Sequence, residues 1–207
     1  QLLGRGWNLP PRRIDLKTSS SLNETTHAPH GDDTIAVTGT LAGASVLAGD
    51  GDDLISITGA ANSSTMKGGS GADSVVVTGG GTSTNIATNV GDDSITVGSV
   101  LTGGNIWAGS GNDTISVGTV SSGVVGGQQG ADLLVGTNLV SADVQLAVAN
   151  EGSSLKDTLS VTGLVSNSTI LSSDGDDSVS VGTLVGGTTT LLDGADTLIV
   201  GSSLGGV

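Results

Sequence analysis

Short segments of alternating polar and aliphatic residues recur along most of the chain. The clearest are residues 34–37, 94–97, 114–117, 158–161 and 178–181, where Ile, Val or Leu alternates with Ser, Thr or Ala. This period of two predicts half-buried strands with the aliphatic side chains directed inward. A weaker alternating segment follows about nine residues later, as at 45–47, 85–87 and 105–107. The pattern therefore predicts two strands in each repeat.

Each strong strand follows a Gly-x-Asp triplet, and the triplets recur at nearly constant spacing. The spacings between successive triplets are 20, 20, 20, 20, 19, 25, 20 and 19 residues, and Leu155-Lys156-Asp157 is a degenerate member. The third position is Asp in all nine copies, which indicates a requirement for a carboxylate there. The glycines that open the other eight are Gly31, Gly51, Gly71, Gly91, Gly111, Gly130, Gly175 and Gly194.

A fixed repeat of about 20 residues predicts an all-β fold, a parallel β-solenoid of the β-roll or β-helix kind with about nine coils. Equivalent residues of successive coils then stack about 4.8 Å apart. An antiparallel sandwich also uses many short strands, but its strands need not resemble one another. With 36 Gly, no Phe and no Tyr, the core is expected to be thin and built from Val, Ile, Leu and Ala.

The repeat divides the chain into two parts. Residues 1–29 fall outside it and carry four of the six basic residues, so we expect an extended, irregular basic arm there. Residues 30–207 form the predicted solenoid. The long spacing before Asp157 predicts an insert near residues 138–154, with residues 144–148 as its second strand.

The charge and the missing residue types exclude several functions. A net charge of −14 disfavours nucleic acid as a partner and favours cations. No run of about 18 apolar residues is present, so no membrane span is expected. The chain has no Cys, both His residues precede the repeats, and no nucleophile elbow or phosphate loop is found. We therefore expect that the protein is not an enzyme.

Stacking the Asp residues of successive coils creates an electrostatic problem. Two carboxylates about 5 Å apart repel by roughly 0.8 kcal/mol in water and by several-fold more near a protein. Calcium is the expected counterion because it binds six to eight oxygens in flexible geometry, whereas zinc and copper prefer Cys and His. The alternative is a purely structural ladder of Gly-Asp turns without metal.

The residues around these turns resemble the haemolysin-type (RTX) calcium-binding repeats, whose nonapeptide is Gly-Gly-x-Gly-x-Asp-x-U-x with U a large aliphatic residue. Residues 68–76, Gly-Gly-Ser-Gly-Ala-Asp-Ser-Val-Val, match it at every fixed position. Residues 48–56 and 108–116 have Ala in place of the first Gly, and residues 127–135 have Gln in place of the second. The similarity extends over residues 30 to about 200.

The resemblance implies several calcium ions between successive turns, held by Asp side chains and by backbone carbonyls around the turn glycines named above. The motif occurs on one edge only, so one row of ions is expected, and the coil of Lys156 is expected to hold none. The neighbouring Asp32, Asp52, Asp92 and Asp176 either add oxygens or face water. The carboxylates that carry over directly are Asp33, Asp53, Asp73, Asp93, Asp113, Asp132, Asp177 and Asp196.

These features predict a secreted, calcium-binding structural protein at the cell surface. We expect a subunit of an extracellular filament or surface layer, a homopolymer formed by head-to-tail stacking of solenoids with the basic arm on the neighbouring subunit. A cell-surface polysaccharide is a further expected partner. Two alternatives remain open, an adhesin or ice-binding module in cell adhesion and a phage or virus fibre.

Overall fold

The computed structural model describes residues 11–16, 23–147 and 155–203, and all regular structure within them is β-strand. Eighteen strands form one sheet in which every strand pairing is parallel. This arrangement confirms the predicted all-β solenoid of about nine coils. It also excludes the antiparallel sandwich.

The strands follow the coils from end to end, and the longer ones continue around one or more corners. The first nine are β1 (Arg13–Leu16), β2 (Thr25–His27), β3 (Thr34–Val37), β4 (Leu41–Ala42), β5 (Ser45–Asp50), β6 (Leu54–Ile57), β7 (Ala61–Asn62), β8 (Thr65–Ser70) and β9 (Ser74–Val77). The others are β10 (Gly81–Val90), β11 (Ser94–Ser110), β12 (Thr114–Ser121), β13 (Val124–Gln129), β14 (Leu133–Val140), β15 (Asp143–Ala147), β16 (Thr158–Leu171), β17 (Ser178–Thr190) and β18 (Thr197–Ser203).

A single coil contains three strand segments, one more than the sequence predicted. In the coil that begins at Asp33, β3 and β5 are the two expected strands, and the two-residue strand β4 lies between them. Only Leu41 of β4 is buried, so this strand is too short to show an alternating pattern. The cross-section of a coil therefore has three sides.

The core is a set of aliphatic columns, as the composition predicted. Along the first side, Ile35 pairs with Ile55 and Ile55 pairs with Val75, and all three are at most 1% exposed. Because parallel in-register pairing places equivalent residues directly above one another, each inward column consists of stacked aliphatic side chains. The buried hydrophobic residues are all Ala, Val, Ile or Leu, apart from Met66.

The sheet begins inside the segment that we expected to form the arm. Strand β1 pairs with β3, and β2 pairs with β5, so both belong to a rung that precedes Asp33. In that rung Arg12 lies one residue before β1, at the place that Asp33 takes before β3. Residues 1–10 and 17–22 of the expected arm lie outside the described residues.

The long coil before Asp157 keeps its second strand where the sequence predicted it. Strand β15 pairs with β13 on one side and with β16 on the other, and Val144 and Leu146 are buried. The remainder of the expected insert, residues 148–154, lies outside the described part of the chain. Among the described residues, no helix of the length and apolarity needed to cross a membrane is present.

Candidate functional site

The third residues of the Gly-x-Asp triplets form a column of buried acids, which we call the carboxylate ladder. Each member is at most 3% exposed, although its neighbours on the chain at the turn are largely open to solvent. Asp196, in the last described coil, is only half-buried. The members of the ladder are Asp33, Asp53, Asp73, Asp93, Asp113, Asp132, Asp157 and Asp177.

One oxygen of each ladder carboxylate ties two coils together. The Oδ1 atom accepts a hydrogen bond from the backbone amide at the equivalent position of the preceding coil, at 2.6–2.9 Å. Asp196 accepts the same bond at 3.0 Å. The amide of Asp53, for example, donates to Oδ1 of Asp73 at 2.9 Å. At the first rung the amide of Arg12 donates to Asp33, so the bonding pattern begins before the first acid. Oδ1 therefore has a structural role that needs no metal.

The second carboxylate oxygen, Oδ2, differs from Oδ1 in its hydrogen bonding. Oδ2 is buried without a hydrogen-bond partner in Asp33, Asp53, Asp73, Asp93, Asp113 and Asp177. In the turn that ends at Asp73, this atom lies against the Cα atom of Gly68, where a Cβ atom would collide with it. Oδ2 is therefore enclosed by its own turn. An orphaned carboxylate oxygen in such a place is costly unless a proton or a cation satisfies it.

The residue five positions before each ladder acid is small because the carboxylate occupies the space beside it. This position holds Ala28, Ala48, Thr88, Ala108 and Ser172 in other coils, and all of them are at most 1% exposed. The sequence analysis noted the first Gly of the nonapeptide but not this requirement. The small residue at a fixed distance before each Asp is the signal that could have located the enclosed oxygen.

Burial is the main influence on the titration of four ladder acids. It is the largest cause of the raised pKa of Asp73, from 3.8 to about 7, and of Asp53, to about 6, and neighbouring carboxylates act in the same direction. The pKa of Asp113 is raised to about 6 and that of Asp93 is also raised, again chiefly by burial. The hydrogen bond from the backbone amide of the preceding coil opposes these shifts. Without a cation, folding therefore favours the protonated form of these four acids.

The turn glycines lie where the sequence placed them, two residues before each acid, and all eight have positive φ between 98° and 153°. At Gly51, a Cβ atom would stand 2.5 Å from the carbonyl oxygen of Gly31. The carbonyl of one turn is thus directed at the backbone of the next turn. Only glycine permits this approach, and it brings backbone oxygens between successive coils.

The neighbouring acids behave differently from the ladder. Asp32, Asp52, Asp92 and Asp176 are exposed, and each accepts a hydrogen bond through Oδ1 from a backbone amide of the following coil, at 2.8–3.0 Å. Asn112 makes the same bond to the amide of Ala131 at 3.0 Å. Because a neutral amide can replace the acid there, this outer position supports the turn without requiring a charge.

The degenerate coil keeps its acid inside the ladder. Asp157 is 1% exposed, and its Oδ1 accepts a hydrogen bond from the amide of Asp132 at 2.8 Å. Lys156 is exposed on the outer side of the turn. The sequence analysis left Asp157 out of its set of site residues because its triplet lacks Gly. The structure places it with the other members.

At the corner between the second and third sides of the coil, hydroxyl groups accept the hydrogen bonds of buried amides from the preceding coil. Ser64 Oγ accepts a hydrogen bond from the amide of Ala44 at 3.2 Å and donates one to the carbonyl oxygen of Asn62 at 2.8 Å. Ser168 makes the same pair of bonds, at 3.1 Å and 3.0 Å. Both residues are at most 2% exposed. We call this corner the hydroxyl corner, and the sequence analysis did not identify it.

The donor set fits a hard cation better than a transition metal. Within the described ranges, no group of three or more His, Cys, Asp or Glu side chains could hold a metal ion. Each coil contributes one ladder carboxylate, so the remaining ligands of a cation would have to be backbone carbonyls or water. Calcium accepts such ligands, whereas zinc requires a compact set of His, Cys or carboxylate side chains.

A comparison of the chain with protein-family models, with curated proteins and with solved structures finds no match. The resemblance to the RTX repeats accordingly remains a prediction from the motif, and the site must be interpreted from its own geometry.

Proposed function

We propose that this protein is a calcium-binding structural protein of the cell exterior and that its solenoid is a subunit of a filament or surface layer. The observation that carries the proposal is the row of buried Oδ2 atoms that have no hydrogen-bond partner in six coils. A row of calcium ions at the turns, held by these atoms and by turn carbonyls, would satisfy the oxygens and neutralise the stacked charges.

The expected affinity suits an extracellular setting. A site with one or two carboxylates and several neutral oxygens binds calcium weakly, and extracellular calcium modules have dissociation constants of about 10⁻⁴–10⁻³ M. The absence of Cys from the sequence leaves metal as the available cross-link between coils. The location outside the cell is thus supported by the chemistry of the site and by the resemblance to RTX repeats.

Removing calcium tests the metal site directly. We expect chelation at pH 8 to lower the melting temperature measured by circular dichroism and to reduce the β signal, because a ligand bound only by the folded state stabilises it. At a concentration of 100 times Kd, each occupied site contributes about 2.7 kcal/mol. Magnesium at the same concentration is the control and should restore the fold poorly. An identical melting curve with chelator and with calcium would refute the calcium proposal.

The last described strand supports assembly by stacking. Strand β18 pairs only with β17 among the described strands, and Leu198 continues the inward column of Leu159 and Val179. Those two residues are fully buried, whereas Leu198 is 45% exposed. The apolar inner column of β18 is a surface on which another coil can stack in parallel register. We propose that a second copy of the solenoid stacks there.

Two matched substitutions test stacking. Leu198→Ser removes the apolar group of the end face, and Ile199→Ser changes the outward column, where other coils already have Ser160 and Ser180. In calcium, we expect filaments by electron microscopy for the parent and for Ile199→Ser, and dispersed monomers for Leu198→Ser. Filaments of all three proteins, or of none, would contradict this mode of assembly.

The outer face favours a structural role over ice binding. A regular lattice of hydroxyl groups would need an unbroken Ser and Thr column, but Leu54 and Leu133 stand outward in that column and are 37% and 38% exposed. The outward column is therefore interrupted in two coils. Adhesion and a phage or virus fibre use the same elongated scaffold and are distinguished from a cellular filament by the assembly experiment and the source of the particles.

A further inference from the structure

A polar groove of about 300 Å³ lies at the turn edge, among the residues that directly precede three successive Gly-x-Asp triplets. Its floor is Gly109 and Ser110, and its walls are Asn89 of the preceding coil and Gln128 and Gln129 of the following coil. The volume lies at the lower end of the range of roughly 300–1,000 Å³ that is typical of small-molecule sites. Three amide side chains thus surround a floor that carries little side-chain bulk.

Two of these amides stand at positions where a side chain is conformationally unfavourable. Gly49, Gly69 and Gly109 occupy the equivalent position in other coils with φ of 120–137°, whereas Asn89 and Gln128 adopt φ of 77° and 86°. Asn tolerates positive φ, but Gln is rare there. Backbone strain of this kind is concentrated at functional sites. Here it places one amide on each side of the groove.

An indole ring lies on the strand that supplies the floor of the groove. Trp107 precedes Gly109 by two residues on β11, and its side chain is directed outward, opposite to the buried Ile106 and Ala108. Its ring lies over Gly126 of the following coil, at a place where a Cβ atom would collide with it. Gly126 in turn precedes Gln128 by two residues. The half-buried ring therefore lies between the two strands that supply Gly109 and Gln128 to the groove.

The groove is free of charged side chains, although the whole chain carries a net charge of −14. The column that contains Ser110 and Gln129 holds Asp50, Asp174 and Asp193 in other coils. An anionic ligand would be repelled by the acidic edge, and a cation would gain more from those other coils than from this one. The site therefore fits an uncharged ligand rich in hydrogen-bonding groups.

We propose that the groove binds a neutral sugar, with the pyranose ring against Trp107 and its hydroxyl groups bonded to the amides of Asn89, Gln128 and Gln129. Amide side chains both donate and accept hydrogen bonds, as hydroxyl groups require. The indole supplies an apolar face of the kind that the C–H groups of a pyranose ring can cover. Bound there, the sugar would give the solenoid a direct contact with uncharged glycan.

Tryptophan fluorescence tests this site because the chain has only two tryptophans. In a Trp7→Phe background, Trp107 is the sole reporter. We expect a saturable change of its emission, in excess calcium, with glucose, galactose, mannose, N-acetylglucosamine or their neutral oligosaccharides, and no such change with glucuronate oligomers. Asn89→Gly and Gln128→Gly restore the residue favoured at positive φ, so both variants should stay folded and bind about 3- to 10-fold more weakly.

A matched surface change and a second readout complete the experiment. Lys67→Ala alters the column of Trp107 two coils earlier and should leave sugar binding unchanged. Saturation-transfer NMR with the same sugars detects binding that leaves the emission unaltered. The proposal is overturned if neither method detects a neutral sugar, if only glucuronate binds, or if binding persists at full strength in both glycine variants.

Discussion

The turn edge and the hydroxyl corner perform the same task with different chemistry. On each, a side-chain oxygen of one coil accepts a hydrogen bond from a buried amide of the preceding coil, as Asp73 does for Asp53 and Ser64 does for Ala44. The Ser hydroxyl also donates a hydrogen bond, to Asn62, so its capacity is used within the protein. The Asp carboxylate only accepts, and its second oxygen has no hydrogen-bond partner.

The comparison shows that stacking the coils does not by itself require acids. A neutral hydroxyl satisfies the amide of the preceding coil without a surplus oxygen and without raising any pKa. The carboxylate ladder makes the same hydrogen bond, but it also buries a charge and an oxygen without a partner. Burying these groups is unfavourable unless another species occupies the turn. The surplus oxygen is therefore the strongest structural indication of a cation at this edge.

Asp73→Asn should have the largest effect and should change sign with calcium. In calcium it removes an anionic ligand from the sites on both sides of its coil, and we expect a loss of about 1–3 kcal/mol in the free energy of unfolding. In chelator at pH 8 it removes a buried charge, since the pKa of Asp73 is raised to about 7, and we expect the variant to equal or exceed the parent. Urea denaturation under both conditions measures the difference.

Asp52→Asn is the matched control because Asp52 precedes the ladder acid Asp53 but is exposed. Its Oδ1 accepts the amide of Ala72, and an Asn side chain can do the same, as Asn112 does for Ala131. We expect little change with or without calcium. If Asp73→Asn were destabilising by the same amount in chelator and in calcium, the carboxylate would have only a structural role.

The pH dependence of the metal-free protein should be the next largest effect. Because the folded pKa values of Asp53, Asp73 and Asp113 are raised from 3.8 to about 6–7, the folded state binds more protons than the unfolded state between these limits. The free energy of unfolding therefore falls as the pH rises from about 4 to 7. Chemical denaturation in chelator across this range measures the slope, and a rise in stability with pH would contradict the prediction.

Calcium should reverse that slope because protons and calcium compete for the same oxygens. In excess calcium we expect stability to be nearly constant or to rise with pH over the same range. Equal slopes with calcium and with chelator would show that the ladder titrates without binding the ion.

Ser64→Ala should have a smaller effect that calcium does not change. The substitution leaves the buried amide of Ala44 without its acceptor, and we expect a cost of about 1 kcal/mol. The loss should be the same in chelator and in calcium, and at pH 5 and pH 8, because no charge is involved. A calcium-dependent loss would mean that the two edges are coupled through the narrow core.

The sequence predicted the features that repeat and did not predict those that occur once or leave no pattern. The Asp column, the turn glycines and the inward Ile and Val of the first side were read directly from the constant spacing. Strand β4 was missed because two residues cannot show a period of two. Strand β1 was missed because Arg12 stands in the place of the acid, so the rung lacks the marker by which the other coils were recognised.

The details of the site depended on contacts that a linear pattern does not contain. The spacing predicted that carboxylates stack, but not that one oxygen of each is used by an amide and the other is enclosed beside a small residue such as Gly68. The exposed position of Asp52 next to the buried position of Asp53 also follows from the three-dimensional course of the turn. The sequence separates the two positions only by the constancy of the third residue, which does not show that its side chain is buried.

Single-residue differences in coil length are confined to one corner of the solenoid. The register shifts lie between Val97 and Val100, between Gly136 and Leu139, and between Val161 and Leu164, always directly after the first side of the coil. The turns on either side of these shifts keep their acids in register. This corner tolerates insertions and deletions of single residues, in natural or designed variants, while the opposite edge keeps its spacing.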